Sequence, residues 1–248
     1  MWQFLYKLAS PQSFYRLAGQ FLRYLKPLSL LLFVCGLIGG LILAPADYQQ
    51  GDAFRIIYIH VPSAFMSLGV YSFMAFCAVI SLVWRIKLAD IMIKVSAPLG
   101  AWFTFLALVT GSIWGRPMWG TWWIWDARLT SELILLFIYL AIIALQAAIP
   151  DRVRAARAVS FFVLIGFVDI PLIHFSVDWW NTLHQGASLS LLSKPTIVPS
   201  MLMPLLAMIF AFLSYFILLT LIRARTEVLH REQHSLWVQH TRLDGKTF

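Results

Sequence analysis

Histidine and tryptophan are the residues of this chain whose types and spacing can do chemistry. Five of the eleven tryptophans, Trp114, Trp119, Trp122, Trp123 and Trp125, fall within twelve positions, around the string Trp119-Gly120-Thr121-Trp122-Trp123-Ile124-Trp125-Asp126. An indole is favoured where its ring lies in apolar surroundings while its N–H reaches water or a partner, so any one of these reads as an interfacial anchor. Five together, on a turn opened by Gly111, Gly115, Pro117 and Gly120, make a broad aromatic surface suited to a flat, apolar, partly charged ligand. His60, His174 and His184 add metal chemistry, because neutral imidazole is a common ligand for iron. His230, His234 and His240 lie in a polar C-terminal stretch and read as solvated side chains.

The elements that must position these residues are membrane spans. Hydrophobic residues make up 60% of the chain and charged residues 12%, against roughly a quarter charged in a soluble domain. Apolar runs near the ~20 residues needed to cross a bilayer fall at about 27–44, 56–84, 92–113, 129–149, 156–176 and 200–222. Six crossings place both termini on one side, and Lys and Arg decide which. Fifteen of the nineteen lie in the N-terminal segment, the second and fourth loops and the tail, leaving Arg55, Arg116, Arg128 and Lys194 for the other three loops. Both termini are therefore expected in the cytoplasm, with the tryptophan loop and loops 45–55 and 177–199 facing outward. His60 then sits about one turn inside the outer end of the second span, His174 near the outer end of the fifth and His184 in the loop beyond, all level with the tryptophans. A histidine inside a span is costly and points to function. A porphyrin would use both halves of this constellation, iron on histidine and macrocycle on tryptophan.

The expected fold is all-α: six transmembrane helices in one polytopic domain, with a basic amphipathic helix on the cytoplasmic surface within residues 1–26 and a cytoplasmic tail at 223–248. Ser10-Pro11 supply a cap and first helical residue, and no secretory cleavage pattern follows Met1. The net charge of +8 is spread in clusters between apolar spans, without the contiguous basic face that nucleic acid requires. Cys35 and Cys77 form neither a redox nor a thioether motif, and Gly245-Lys246-Thr247 lacks the rest of a phosphate-binding loop. Gly36 with Gly40, and Ser96 with Gly100 and Thr104, are spaced for close helix approach. Asp126 fits the N-cap of the fourth span. Asp169, an acid within the fifth, has no partner that the sequence identifies. Arg55 and Arg128 flank the outer ends of spans and suit a ligand carboxylate; interfacial snorkelling, or an Arg128–Glu132 pair one turn apart, explains them equally well.

Four motifs carry a resemblance along nearly the whole length: Ala44-Pro45-Ala46-Asp47-Tyr48-Gln49-Gln50, Ile56-Ile57-Tyr58-Ile59-His60-Val61-Pro62, the tryptophan string, and Trp179-Trp180-Asn181-Thr182-Leu183-His184-Gln185-Gly186. In these the chain resembles the tryptophan-rich membrane proteins that handle heme in cytochrome c maturation, and within them the CcmC family. The resemblance implies a protein of the bacterial cell inner membrane that captures heme b at the periplasmic face and presents it to the heme chaperone CcmE. Partners carried over from the family are the ABC-transporter subunits CcmA and CcmB and the small membrane protein CcmD. His60 and His184 are the positions matching the family's heme ligands, with the tryptophans on the macrocycle; His174 ranks third. No residue is assigned a catalytic role. Two other classes remain: a heme permease, which needs a polar path at mid-membrane, and a b-type electron carrier, which needs paired histidines deeper in facing helices.

The distribution of basic residues makes a topological prediction. Reporter fusions after residues 50, 120 and 188 should behave as periplasmic, and those after 90, 153 and 240 as cytoplasmic. The inverted pattern would remove the common outward face of the histidines and tryptophans.

Overall fold

The computed structural model describes residues 10–184 and 197–243. Gln185, Gly186 and the rest of residues 185–196, together with Lys7, Lys246 and the outermost parts of both terminal segments, lie outside the described residues. Within them the chain is helical, without β-strands. Six units are long and apolar enough to cross a membrane. This architecture follows from the solvent: hydrocarbon offers no hydrogen bonds, so each crossing segment must satisfy its backbone internally.

Helix α1 (Pro11–Leu37) starts where Ser10 accepts the Ser13 N–H at 3.3 Å, with Pro11 at the first helical position. It runs without interruption into a π-helical turn, Ile38–Leu43, closed by the Ala44 N–H on the Gly39 carbonyl at 2.7 Å. The sequence divides this stretch into a surface helix and a span beginning at 27; the structure joins them in one helix. Pro27 removes a single donor, and the remaining backbone groups still bond best along the helix. The apolar side of its first turns, Tyr15, Ala18 and Leu22, is buried, and the chain's other end helps cover it: the Arg225 guanidinium carbon lies 4.2 Å above the Tyr15 ring and Trp237 is 5.8 Å away.

A short 3-10 turn, Asp52–Ile56, leads into α2 (Ile57–Trp84). Helix α3 (Lys87–Trp119) follows and stops at Gly120, whose φ of +75° suits a residue without Cβ. Helix α4 (Ala127–Ala148) is capped by Asp126, which accepts the Leu129 N–H at 2.8 Å, the role its position in the sequence predicts. The fifth crossing is in two pieces, α5 (Arg152–Gly166) and α6 (Asp169–Trp179). At the break the Tyr71 hydroxyl donates to the Val163 carbonyl at 3.1 Å and occupies the space a Cβ on Gly166 would fill, so a side chain wedged against the helix accounts for the interruption. Asp169 thereby becomes the first residue of α6, where unpaired N–H groups gather. Helix α7 (Pro199–Arg231) packs along α1, and α8 (Leu236–Leu243) ends the described chain.

The core lies between α2, α3 and α4, where Val70, Tyr71, Met74, Ala78, Ala97, Leu135 and Tyr139 are fully buried. Tyr139 reaches from α4 to the α2 backbone, donating to the Ser67 carbonyl at 2.8 Å, and its ring fills the site of a Cβ on Gly100. The paired small residues act as their spacing predicts: a Cβ on Gly36 would lie 2.5 Å from Met208 Sδ, and one on Gly40 2.6 Å from the Tyr58 ring. At the opposite end from the tryptophans, Glu227 of α7 binds Arg231 and, across to α3, Lys94, both at 2.8 Å.

Gly100→Val should overpack the α3–α4 contact and lower stability by about 1–3 kcal/mol or more, read as a lower melting temperature of the detergent-purified protein. Gly69→Ala is the control, because nothing lies within 4 Å of a Cβ there, and it should melt normally.

Candidate functional site

The start of α2, the tryptophan-bearing end of α3 and the start of α4 enclose a cavity of about 770 Å³, measured out to its open mouth. His60, His184, Trp114, Trp119, Trp123 and Arg128 line it.

His60 stands one turn inside the start of α2. Its Nδ1 is 3.1 Å from the Ala107 carbonyl oxygen and 3.1 Å from Thr110 Oγ1, both on α3. A carbonyl only accepts, and the Thr110 hydroxyl spends its proton on the Leu106 carbonyl at 2.6 Å, so Nδ1 is the donor in both bonds. The lone pair is then on Nε2, the arrangement in which a backbone acceptor orients an imidazole for ligation through its other nitrogen. The ring comes this close to α3 because Gly111 is bare: a Cβ there would be 2.9 Å from His60 Cε1.

His184 follows α6 on an irregular segment, and its ring centroid lies 6.5 Å from that of His60 with 39° between the planes. Two imidazoles bound on opposite sides of one metal ion, at ~2.0–2.1 Å from each nitrogen, have centroids about 6.4 Å apart. The two rings are thus spaced for one ion between them. No cluster of three or more His, Cys, Asp or Glu able to hold a metal occurs among the described residues.

The indoles form the walls. Trp114 meets the His60 ring edge-on at 5.6 Å, and Trp119 lies 6.4 Å from the His184 ring. Trp123 is part of the lining, and its buried indole N–H has no protein partner among the described residues. Trp122 and Trp125 are exposed and line none of the cavity; Trp125 packs on Trp123 at 5.6 Å. The sequence places all the tryptophans on one turn, yet α3 continues to Trp119, so Trp114 and Trp119 stand on its last turns and only Gly120–Asp126 is irregular. Gly111 and Gly115, which read as loop residues, are helical positions kept small to admit the rings of His60 and Trp119. The turn itself is pinned to α3 by the Ser112 hydroxyl on the Trp122 carbonyl at 2.7 Å.

The two flanking arginines part company. Arg128 lines the cavity and donates to the Ile173 carbonyl at 2.7 Å, tying α4 to α6; no ion pair with Glu132 forms among the described residues. Arg55 is held by the Asp52 carboxylate at 2.8 Å and by the Gly40 carbonyl at 3.0 Å, closing the end of the π turn rather than lining the cavity. His174 is exposed on α6 against Phe175, 4.7 Å away, and is not in the lining.

Four residues at the site are not among the ligand-binding candidates that the sequence offers. Gln50 accepts the Trp114 indole N–H at 2.9 Å. The Asp47 carboxylate sets the preceding turn by accepting the Gln49 and Gln50 N–H groups at 2.9 and 2.8 Å. Thr110 orients His60, and the buried Glu132 lines the deep side of the cavity. The assembled site can seat a planar apolar ligand between indoles, fix a central metal on two imidazoles and meet a carboxylate with a guanidinium.

The comparisons with known proteins agree along the length of the chain. The family model described as heme exporter protein C, CcmC, matches residues 4–239. A Haemophilus influenzae protein named heme exporter protein C is 52% identical over 239 residues, covering 96% of this chain and 97% of that protein. The protein of that name in Escherichia coli K12 is 52% identical over 238 residues, 96% of each chain. A third, from Bradyrhizobium diazoefficiens, is 49% identical over 232 residues, 94% of this chain and 88% of its own. The chain is a member of the heme exporter protein C (CcmC) family.

Proposed function

We propose that this protein binds heme b at the periplasmic face of the cytoplasmic membrane and hands it to the chaperone CcmE during cytochrome c maturation. The observation that carries the reading is the His60–His184 ring pair, 6.5 Å apart in a tryptophan-lined cavity. In this reading heme is cargo. His60, oriented by the α3 backbone, and His184, on the segment after α6, take the two faces of the iron. Trp114, Trp119 and Trp123 hold the macrocycle by burying apolar area, worth about 25 cal/mol per Å². Arg128 meets a propionate, while Arg55 stays with Asp52 and the exposed Trp122 and Trp125 are open to a partner.

Transfer, rather than storage, is supported by the unequal footing of the two histidines. His60 is embedded in a helix; His184 lies beyond the end of α6, and a loop is displaced more cheaply than a packed helix. An electron carrier would more naturally hold both ligands on helices. CcmA, CcmB and CcmD belong to the proposal as partners, with both termini cytoplasmic and the cavity periplasmic, as the arrangement of basic residues favours.

Protein purified with heme should give a six-coordinate, low-spin optical spectrum. His60→Ala and His184→Ala should each shift it toward high spin or lose heme. Retention of the unaltered low-spin spectrum by both variants would overturn the ligand assignment. Heme on the purified protein should also pass to added apo-CcmE without ATP, leaving the donor depleted; heme that stays put while cycling electrons with quinol would replace this reading with the electron carrier.

A further inference from the structure

The segment that carries His184 is irregular. Helix α6 ends at Trp179, its last turn closed by the Trp180 N–H on the Ser176 carbonyl at 3.1 Å, and residues 181–184 adopt no regular structure. An imidazole that must sit at a fixed distance from His60 needs a local anchor there. Two hydrogen bonds supply one. The Thr182 hydroxyl donates to Asp126 Oδ2, and Thr182 Oγ1 accepts the His184 N–H at 3.1 Å. The other oxygen of the same carboxylate, Asp126 Oδ1, accepts the Leu129 N–H at 2.8 Å and caps α4.

We propose that Thr182 is the positioning residue for His184: its hydroxyl joins the backbone of the second metal-ligating histidine to the capped end of α4 and so fixes the spacing of the two imidazoles. This rests on the proposed function, in which His184 is a heme ligand. A hydroxyl is suited to the place because it both donates and accepts. Its proton goes to a carboxylate, which makes that bond charge-assisted and about twice as strong as a neutral one. Its lone pair takes the N–H of the residue two positions on, the local turn that Ser and Thr form with their own backbone. Valine has the shape of threonine but neither capacity, whereas serine has both. Asp126 does not need to touch the ligand to matter in this scheme; it ties the His184 segment to the helix that bears Arg128.

The test compares Thr182→Val, Thr182→Ser and His184→Ala in the full-length protein purified with heme. Thr182→Val should retain the fold but lose part of the low-spin signal and release heme to a scavenging apo-globin roughly tenfold faster, the size expected for one charge-assisted bond. Thr182→Ser should restore both properties. Added imidazole should return the Val variant to low spin, because only the position of a ligand has been lost. A wild-type spectrum and release rate in Thr182→Val, alongside an altered His184→Ala, would overturn the role of Thr182 and leave the ligand assignment standing. A wild-type spectrum in His184→Ala would remove the ligand assignment and this proposal with it. Loss of low spin in Thr182→Val that neither serine nor imidazole restores would make Thr182 a general structural prop and would also overturn the proposal.

Discussion

Everything at the tryptophan-bearing end depends on how closely α2 approaches α3. His60 is bonded through Nδ1 to the α3 backbone and to Thr110, and that contact exists only because Gly111 offers no Cβ. Deeper in the bundle the same closeness is enforced by Tyr139, which bonds the Ser67 carbonyl of α2 while lying against Gly100 of α3. A buried tyrosine hydroxyl is stabilised on an acceptor, and here the Tyr139 bond clamps three helices together below the cavity. The cavity floor is thus set by the core, and its walls by what projects from the ends.

Much of this was legible in the sequence, for identifiable reasons. Six apolar runs are read from composition alone, since lipid permits few alternatives to a helix. Ser10 and Asp126 show as caps because their side chains do locally what the backbone lacks. Helix ends were harder. Trp114 and Trp119 stand on α3, although glycine and proline nearby argue for a turn, because a glycine in a membrane helix makes room for a neighbour as readily as it marks an end. The π turn at Ile38–Leu43 and the break near Phe167 depend on contacts with residues far along the chain, Tyr71 in the second case.

Within the site, the sequence supplies residue types but not directions. His174 and His184 are indistinguishable by spacing; the structure puts one outside the bundle and the other 6.5 Å from His60. The five tryptophans divide in the same way, three lining the cavity and two facing out. Arg55 and Arg128, alike in sequence, are separated by Asp52, which engages the first. Gln50 has no signature of its own: its partner Trp114 is far away in the chain, and only the Asp47 turn brings the amide to the indole.

The interruption between α5 and α6 gives the fifth crossing a joint. Tilting of α6 need not be transmitted to α5, whose own helix ends at Gly166. On the far side of that joint α6 is fastened to α4 by the Arg128 guanidinium on the Ile173 carbonyl. A guanidinium has five N–H donors and the Ile173 carbonyl engages only Nη1, so the same side chain keeps donors for a carboxylate in the cavity it lines. The brace on the helix that leads to His184 and the cationic lining of the cavity are therefore one side chain.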